Sequence, residues 1–206
     1  MKPELHSALN KLSSISLLEL NRVKLQNRTD TKFVFKADLL HTILNEISDF
    51  YSILEIKGKR TNSYRTLYYD TKDLRSYIQH HNGKTNRIKV RYRKYIESDL
   101  NYLEVKFKNN KSRTIKARTK RKNIETELSD LSKKFVLDNS YSFFDDREIV
   151  PVLWNSFTRL TLVHKTANER LTIDLNLSFM LLFLVPFFSC TYSQHIFNFN
   201  QALDSK

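Results

Sequence analysis

Between Asn86 and Tyr95 apolar and basic residues alternate one by one, with Ile88, Val90 and Tyr92 on one face and Arg87, Lys89, Arg91 and Arg93 on the other. A period of two is that of a strand with two chemically different faces, and here the second face is wholly cationic. After a turn near 97–100, Leu103, Val105 and Phe107 oppose Glu104, Lys106 and Lys108, and Ile115 and Ala117 then oppose Lys116 and Arg118. Less charged strands fit 32–36, 65–70, 159–165 and 170–177 by the same alternation. Between Lys84 and Lys122 stand 15 Lys and Arg against Glu97, Asp99 and Glu104, a net charge of +12 that is nearly all of the chain's +13. Such a field attracts polyanions, and charge alone does not choose among nucleic acid, an anionic membrane, nucleotides and polyphosphate.

Like charges facing each other across neighbouring strands destabilise a sheet, so several basic strands side by side need counter-charge from a ligand or from carboxylates. Closing the sheet with these faces inward produces a cation-lined tunnel, and this is the architecture expected. Helices are predicted for 3–20, for 38–50 with Asp38 as N-cap, for 72–79 with Thr71 as cap, for 124–136, and for 145–157 with a break at Pro151. The fold class expected is therefore α+β, an antiparallel β tunnel or barrel with flanking helices. Cys190 is the only cysteine, which excludes internal disulfides and Cys-rich zinc sites and fits a reducing compartment. The first 20 residues have no long apolar run, so a cytoplasmic protein is expected. No Gly-x-x-x-x-Gly-Lys loop occurs, which excludes a P-loop nucleotide site. His80 and His81 are read as part of a turn into Asn82-Gly83 rather than as metal ligands, and Trp154 as a packing residue. Glu104 suits a metal ligand and a cross-sheet ion pair equally well. Nucleic-acid binding is the alternative to a phosphate site, because Arg91-Tyr92-Arg93 interleaves an aromatic with cations; by alternation, however, Tyr92 belongs to the apolar face.

Taken in order, Arg28-Thr-Asp-Thr-Lys32, Leu67-Tyr-Tyr-Asp-Thr71, Leu74-Arg-Ser-Tyr77, His80-His-Asn-Gly83, Asn86 to Arg93, Tyr102-Leu-Glu-Val-Lys106, Lys116-Ala-Arg118 and Arg170-Leu-Thr-Ile-Asp174 resemble the VTC domain. That domain is the polyphosphate polymerase branch of the CYTH-like triphosphate tunnel metalloenzymes, and the likeness covers about 22–177. The resemblance implies a tunnel in which ATP donates its terminal phosphate to a growing inorganic polyphosphate, with a divalent metal, Mn or Mg, on the phosphates. It implies phosphate contacts from Lys32, Lys89, Arg91, Lys106, Lys116, Arg118, Arg159 and Arg170, of which Lys32, Lys89, Arg91, Lys106 and Arg159 would be catalytic. Their role would be positioning and charge neutralisation. Lys89 stands where the family more often has an arginine, and an ammonium makes no bidentate fork to phosphate.

After Asp174 no Asp, Glu, Lys or Arg appears until Asp204. The apolar run 179–188 is too short for a membrane-spanning helix, which needs about 20 residues. The family's later strand with a Glu-x-Lys metal motif is not found, leaving Glu104 and Asp174 as the candidate metal carboxylates. The organisation expected is an N-terminal helix over 1–21, a VTC-like domain over 22–178, and an atypical apolar tail over 179–206 of frameshift or truncation origin, with a membrane-contacting hairpin as the alternative. Polymerase activity is expected to be weak or absent, leaving a non-catalytic binding module as the second functional reading. Alanine at Arg91 or Arg118 is expected to weaken phosphate binding without disturbing the fold.

Overall fold

The structure, a computed structural model, describes residues 3–20, 28–111, 113–144, 147–182, 189–192 and 194–202. Helix α1 (Pro3–Lys11) opens on a proline, whose fixed φ suits a first helical turn. The single helix expected over 3–20 does not form. Ser13–Ile15 is strand β1 and Leu17–Leu20 a one-turn helix, α2. The serines between them favour local hydrogen bonds over a continuous helix. Ser16 instead starts α2 with a reciprocal capping box: its N–H donates to Glu19 Oε2 at 2.7 Å, and Glu19 N–H donates to Ser16 Oγ at 3.3 Å.

Strand β2 (Arg28–Lys36) passes through a 3-10 turn, Ala37–Leu39, into α3 (Leu40–Ile47), which buries Leu40 and Leu44. Asp38 thus lies inside the 3-10 turn and does not cap the helix. Strand β3 (Tyr51–Leu54) is buried throughout, and β4 (Asn62–Thr71) leads to α4 (Arg75–His81). The helix expected over 72–79 starts later, at Arg75, with Leu74 rather than Thr71 at its N-cap and no side-chain cap there; the Thr71 Oγ1 nevertheless accepts from Arg75 N–H at 3.1 Å. Buried Asp70 beside it is the stronger partner, with its carboxylate accepting from the N–H groups of Thr71, Ser76 and Tyr77 at 2.8 to 2.9 Å. Asp70→Ala strands those donors in a buried site and is expected to cost about 2 kcal/mol of stability in a thermal or denaturant melt; an unchanged melt would show that the turn holds α4 without it.

Strands β5 (Arg87–Tyr95), β6 (Leu100–Lys108) and β7 (Thr114–Arg121) follow, then α5 (Asp130–Asp138), whose N-cap Ser129 accepts from Ser132 N–H. The helix expected over 145–157 is instead the first half of the long strand β8 (Ile149–His164). Pro151 removes a helical donor and clashes with the preceding turn, while Val150, Val152 and Trp154 suit an extended chain. Strands β9 (Glu169–Leu181), β10 (Ser189–Tyr192) and β11 (Gln194–Ala202) complete the chain. Much of the stretch beyond Phe179, expected to be an atypical tail, is therefore strand; residues 183–188 of its apolar run lie outside the described residues. Among the described residues no helix is long and apolar enough to cross a membrane.

These elements form an α+β fold that divides into two compact units. The first comprises Met1–Ser63, Phe157–Ser178 and Thr191–Lys206. Its strand order is β2-β11-β9-β8, antiparallel where β11 pairs with β2 and β9, with β3 antiparallel to β8 and parallel to β1. Leu9 and Leu12, Leu44 on α3, Ile53 on β3, and Leu160, Leu162, Leu171 and Ile173 on β8 and β9 make its core.

The second unit comprises Tyr64–Ser156 and Phe179–Cys190. Here β4, β5, β6 and β7 form an antiparallel meander. Leu67, Tyr69, Val90, Tyr92, Leu103 and Val105 on its apolar face pack against Val136 of α5 and Phe144. Tyr92 is fully buried in this core with its hydroxyl 2.9 Å from Ser132 Oγ, which places it on the apolar face as alternation predicts.

Candidate functional site

The register of the meander brings the predicted basic residues into rows. Lys89, Lys106 and Lys116 are partners across β5, β6 and β7. In the next row Tyr68 of β4 pairs with Arg91, then Glu104, then Arg118. A third row runs from Thr66 through Arg93 and Tyr102 to Lys120. Neighbouring strands lie about 4.8 Å apart, so each row sets its side chains at close and regular spacing. The opposite face carries the apolar core, and the segregation follows directly from the strand period.

This face is only partly open to solvent. Lys89, Lys116 and Arg118 are exposed, Arg91 and Lys106 are half-buried, and Arg93 and Glu104 are buried. Arg91 grips Glu104: its Nε and Nη2 lie 2.7 and 2.6 Å from Glu104 Oε2, and its Nη1 donates to the Tyr68 hydroxyl at 3.4 Å. Arg93 Nε donates to Thr66 Oγ1 at 3.2 Å and its guanidinium stands over the Tyr64 ring, while Arg118 stands over Tyr102. Arg93 and Tyr68 were not among the predicted site residues. The alternation that singled out Lys89 and Arg91 extends one step further to Arg93, and Tyr68 is legible only once its register with Arg91 is known.

The electrostatics reflect a surplus of cations. Burial pushes the Lys106 ammonium down to about 7, with Arg91, Arg93 and Lys116 acting in the same direction and Glu104 against it. Burial would raise the Glu104 carboxyl, but Arg91 bound to it, together with Lys106 and Arg93, holds it below the usual carboxylate range. Burial would likewise raise the Tyr68 phenol, yet Arg91, Arg93 and Lys89 lower it below its ordinary value.

The other predicted residues belong to the first unit. Leu171, Ile173 and Leu175 of β9 sit in the core, so Arg170, Thr172 and Asp174 occupy its opposite face. Lys32 on β2 shares a register row with Thr172, and Asp30 with Arg170, each through β11. Lys32 is exposed, whereas Asp174 is buried. Arg159 of β8 forms a two-pronged pair with Asp174, Nε to Oδ1 at 2.5 Å and Nη2 to Oδ2 at 2.7 Å. Thus Lys89, Arg91, Glu104, Lys106, Lys116 and Arg118 share one face of the second unit, and Lys32, Arg159, Arg170 and Asp174 one region of the first.

The two candidate metal carboxylates do not fit a divalent ion. Both oxygens of Asp174 and the Oε2 of Glu104 are engaged by arginines, so the negative charge a metal would need is already neutralised. Among the described residues no group of three or more His, Cys, Asp or Glu converges on one point. Glu104 thus makes the cross-sheet ion pair that was one of its two expected roles.

Three solved structures are similar over most of the chain. An adenylate cyclase candidate from Vibrio parahaemolyticus is 12% identical with a TM-score of 0.48, over 88% of this chain and 80% of that one. A candidate adenylyl cyclase from Hippeastrum, described as having a dominant triphosphatase activity, is 11% identical with a TM-score of 0.48, over 85% and 79%. A conserved hypothetical protein from Pyrococcus furiosus is 12% identical with a TM-score of 0.45, over 87% and 81%. No curated protein matches the sequence. The model of the VTC domain matches residues 27–203, past the boundary expected near Phe179 and through β11. On that match the chain belongs to the VTC domain family.

Proposed function

We propose that this chain binds the phosphates of ATP and of inorganic polyphosphate along the basic face of β5, β6 and β7. Lys89, Arg91, Lys106, Lys116 and Arg118 supply the contacts there, and Lys32, Arg159 and Arg170 are phosphate contacts within the first unit taken by itself. The observation that carries this reading is the row Lys89, Lys106 and Lys116, three ammonium groups in register on adjacent strands. Like charges so placed repel one another unless an anion lies over them. A chain of phosphates offers negative charge at a spacing that several strands can meet at once.

The reaction that such a face serves is in-line transfer of the terminal phosphate of ATP to the end of a polyphosphate chain. A terminal oxygen of the acceptor attacks the γ-phosphorus, the bond from that phosphorus to the β,γ-bridging oxygen breaks, and ADP leaves. The protein aligns donor and acceptor and neutralises the charge on the transferring group. With Glu104 and Asp174 held by arginines, turnover is slow relative to binding. Titration calorimetry tests the reading: tripolyphosphate binds, displaces single-stranded DNA at matched ionic strength, and changes affinity less than about twofold when EDTA replaces manganese, because cations rather than a protein-held metal do the binding. Failure to displace DNA would favour a nucleic-acid module, and a tenfold loss in EDTA would restore a metal to the site.

A further inference from the structure

The second unit also holds a cavity of about 430 Å³, within the range of about 300 to 1,000 Å³ of small-molecule sites. Leu74 before α4, Val152 and Leu153 on β8, and Phe179 and Leu181 on β9 give it apolar walls. Its polar groups are few and belong to Ser76, His80, Lys89 and Asn155, besides Asp70 and the tyrosines. Ser76 is 6% exposed, and its Oγ is buried with no hydrogen-bond partner. A buried hydroxyl in that state is destabilising unless something entering the cavity supplies the partner.

Two lining residues connect the cavity to the basic face. Lys89 is the first member of the row that continues to Lys106 and Lys116, and its Nζ lies 3.0 Å from His80 Nε2. Tyr68 lines the cavity while its hydroxyl accepts from Arg91. A ligand whose phosphates lie on the row therefore has an apolar, aromatic-walled chamber at the Lys89 end. Across two strand spacings the row spans about 10 Å, enough for a triphosphate.

Resting on the phosphate-binding reading above, we infer that this cavity takes the base of the nucleoside triphosphate. A nucleobase has two apolar π faces and a hydrogen-bonding edge. The rings of Tyr68 and Tyr77 and the aliphatic walls receive the faces, and the Ser76 hydroxyl and Asn155 amide receive the edge. Inorganic polyphosphate has no apolar surface to bury and makes no use of the chamber. The cavity thus distinguishes donor from acceptor, two ligands whose phosphates are otherwise alike.

The test compares ATP with tripolyphosphate on the full chain. Wild type binds ATP more tightly than tripolyphosphate. Leu153→Trp, which fills the chamber, weakens ATP about tenfold and leaves tripolyphosphate within about twofold, and Ser76→Ala weakens ATP alone by about fivefold. Photolysis of bound 8-azido-ATP labels peptides containing Tyr68, Tyr77 or Leu153, a readout that needs no variant to fold. Equal loss of both ligands in Leu153→Trp, or labelling elsewhere in the chain, overturns the base site while leaving the phosphate row standing. If wild type binds neither ATP nor tripolyphosphate, the phosphate reading fails and takes this inference with it.

Discussion

Replacing Arg91 with Ala lowers the melting temperature by roughly 10 °C, whereas replacing Arg118 with Ala leaves it within about 2 °C. The sequence treats the two as equivalent members of one cationic face, each removable without harm to the fold. The structure separates them. Arg91 is half-buried and bound to buried Glu104, so its removal leaves a carboxylate in a poorly solvated site without its partner. Breaking one side of such a pair costs about 3 to 5 kcal/mol. Arg118 is exposed, and its loss relieves repulsion in a crowded cationic face. Arg118→Ala instead loses a charge-assisted contact to phosphate, about 1.5 to 3 kcal/mol, or about 10- to 100-fold in tripolyphosphate affinity. Calorimetric melts and titrations on both variants read the two effects independently. Arg91→Ala combined with Glu104→Ala recovers part of the lost melting temperature, because no unpaired charge then remains. A wild-type melt for Arg91→Ala would show that the pair contributes nothing to stability, and unchanged tripolyphosphate binding by Arg118→Ala would remove this face from the site.

What the sequence could and could not convey follows from the range over which each signal acts. Alternation is local, so the strands of 87–95, 100–108 and 114–121 and the division of their faces were readable, as was the surplus charge they carry. Register is not local: nothing in the order of residues says that Arg91 meets Glu104 rather than Lys106, and that single pairing decides which arginine stabilises the fold and whether Glu104 is open to a metal. The same limit explains Asp174, whose carboxylate is taken up by Arg159 from a neighbouring strand. The helix expected over 145–157 failed for another reason. From Ile149 to Trp154 β8 keeps partly buried residues on both faces, so strand alternation does not stand out there, whereas 159–165 and 170–177 were readable. Ser13–Ile15, only three residues long, is strand because β3 lies beside it, a cause absent from its own sequence.

Lys106 makes pH the second strong test, because stability and affinity run in opposite directions over one interval. Its side chain faces Lys89 on β5 and Lys116 on β7, with Arg91, Glu104 and Arg93 close by on the same face, and burial brings its ammonium down to about 7 against an unfolded value of 10.5. In the folded protein the proton therefore leaves near pH 7, while the unfolded chain keeps it for about three units more. Between those limits the unfolded state binds more protons, so this residue makes the ligand-free protein more stable as pH rises, with its full penalty present below pH 7. Phosphate acts the other way. An anion over the row favours the charged lysine and raises its pKa, so binding above pH 7 takes up a proton and affinity falls with rising pH by up to about tenfold per unit. Below pH 7 the lysine is already charged and this slope vanishes. ATP, whose terminal phosphate is fully ionised over most of the interval, is the suitable ligand, and Lys106→Arg, which stays charged throughout, supplies the control by flattening the affinity profile. Calorimetry in buffers of different ionisation enthalpy counts the proton directly, with close to one taken up per ATP near pH 8 in wild type and none in Lys106→Arg. Equal proton uptake by the two proteins would show that Lys106 titrates elsewhere and that the row does not hold phosphate through it.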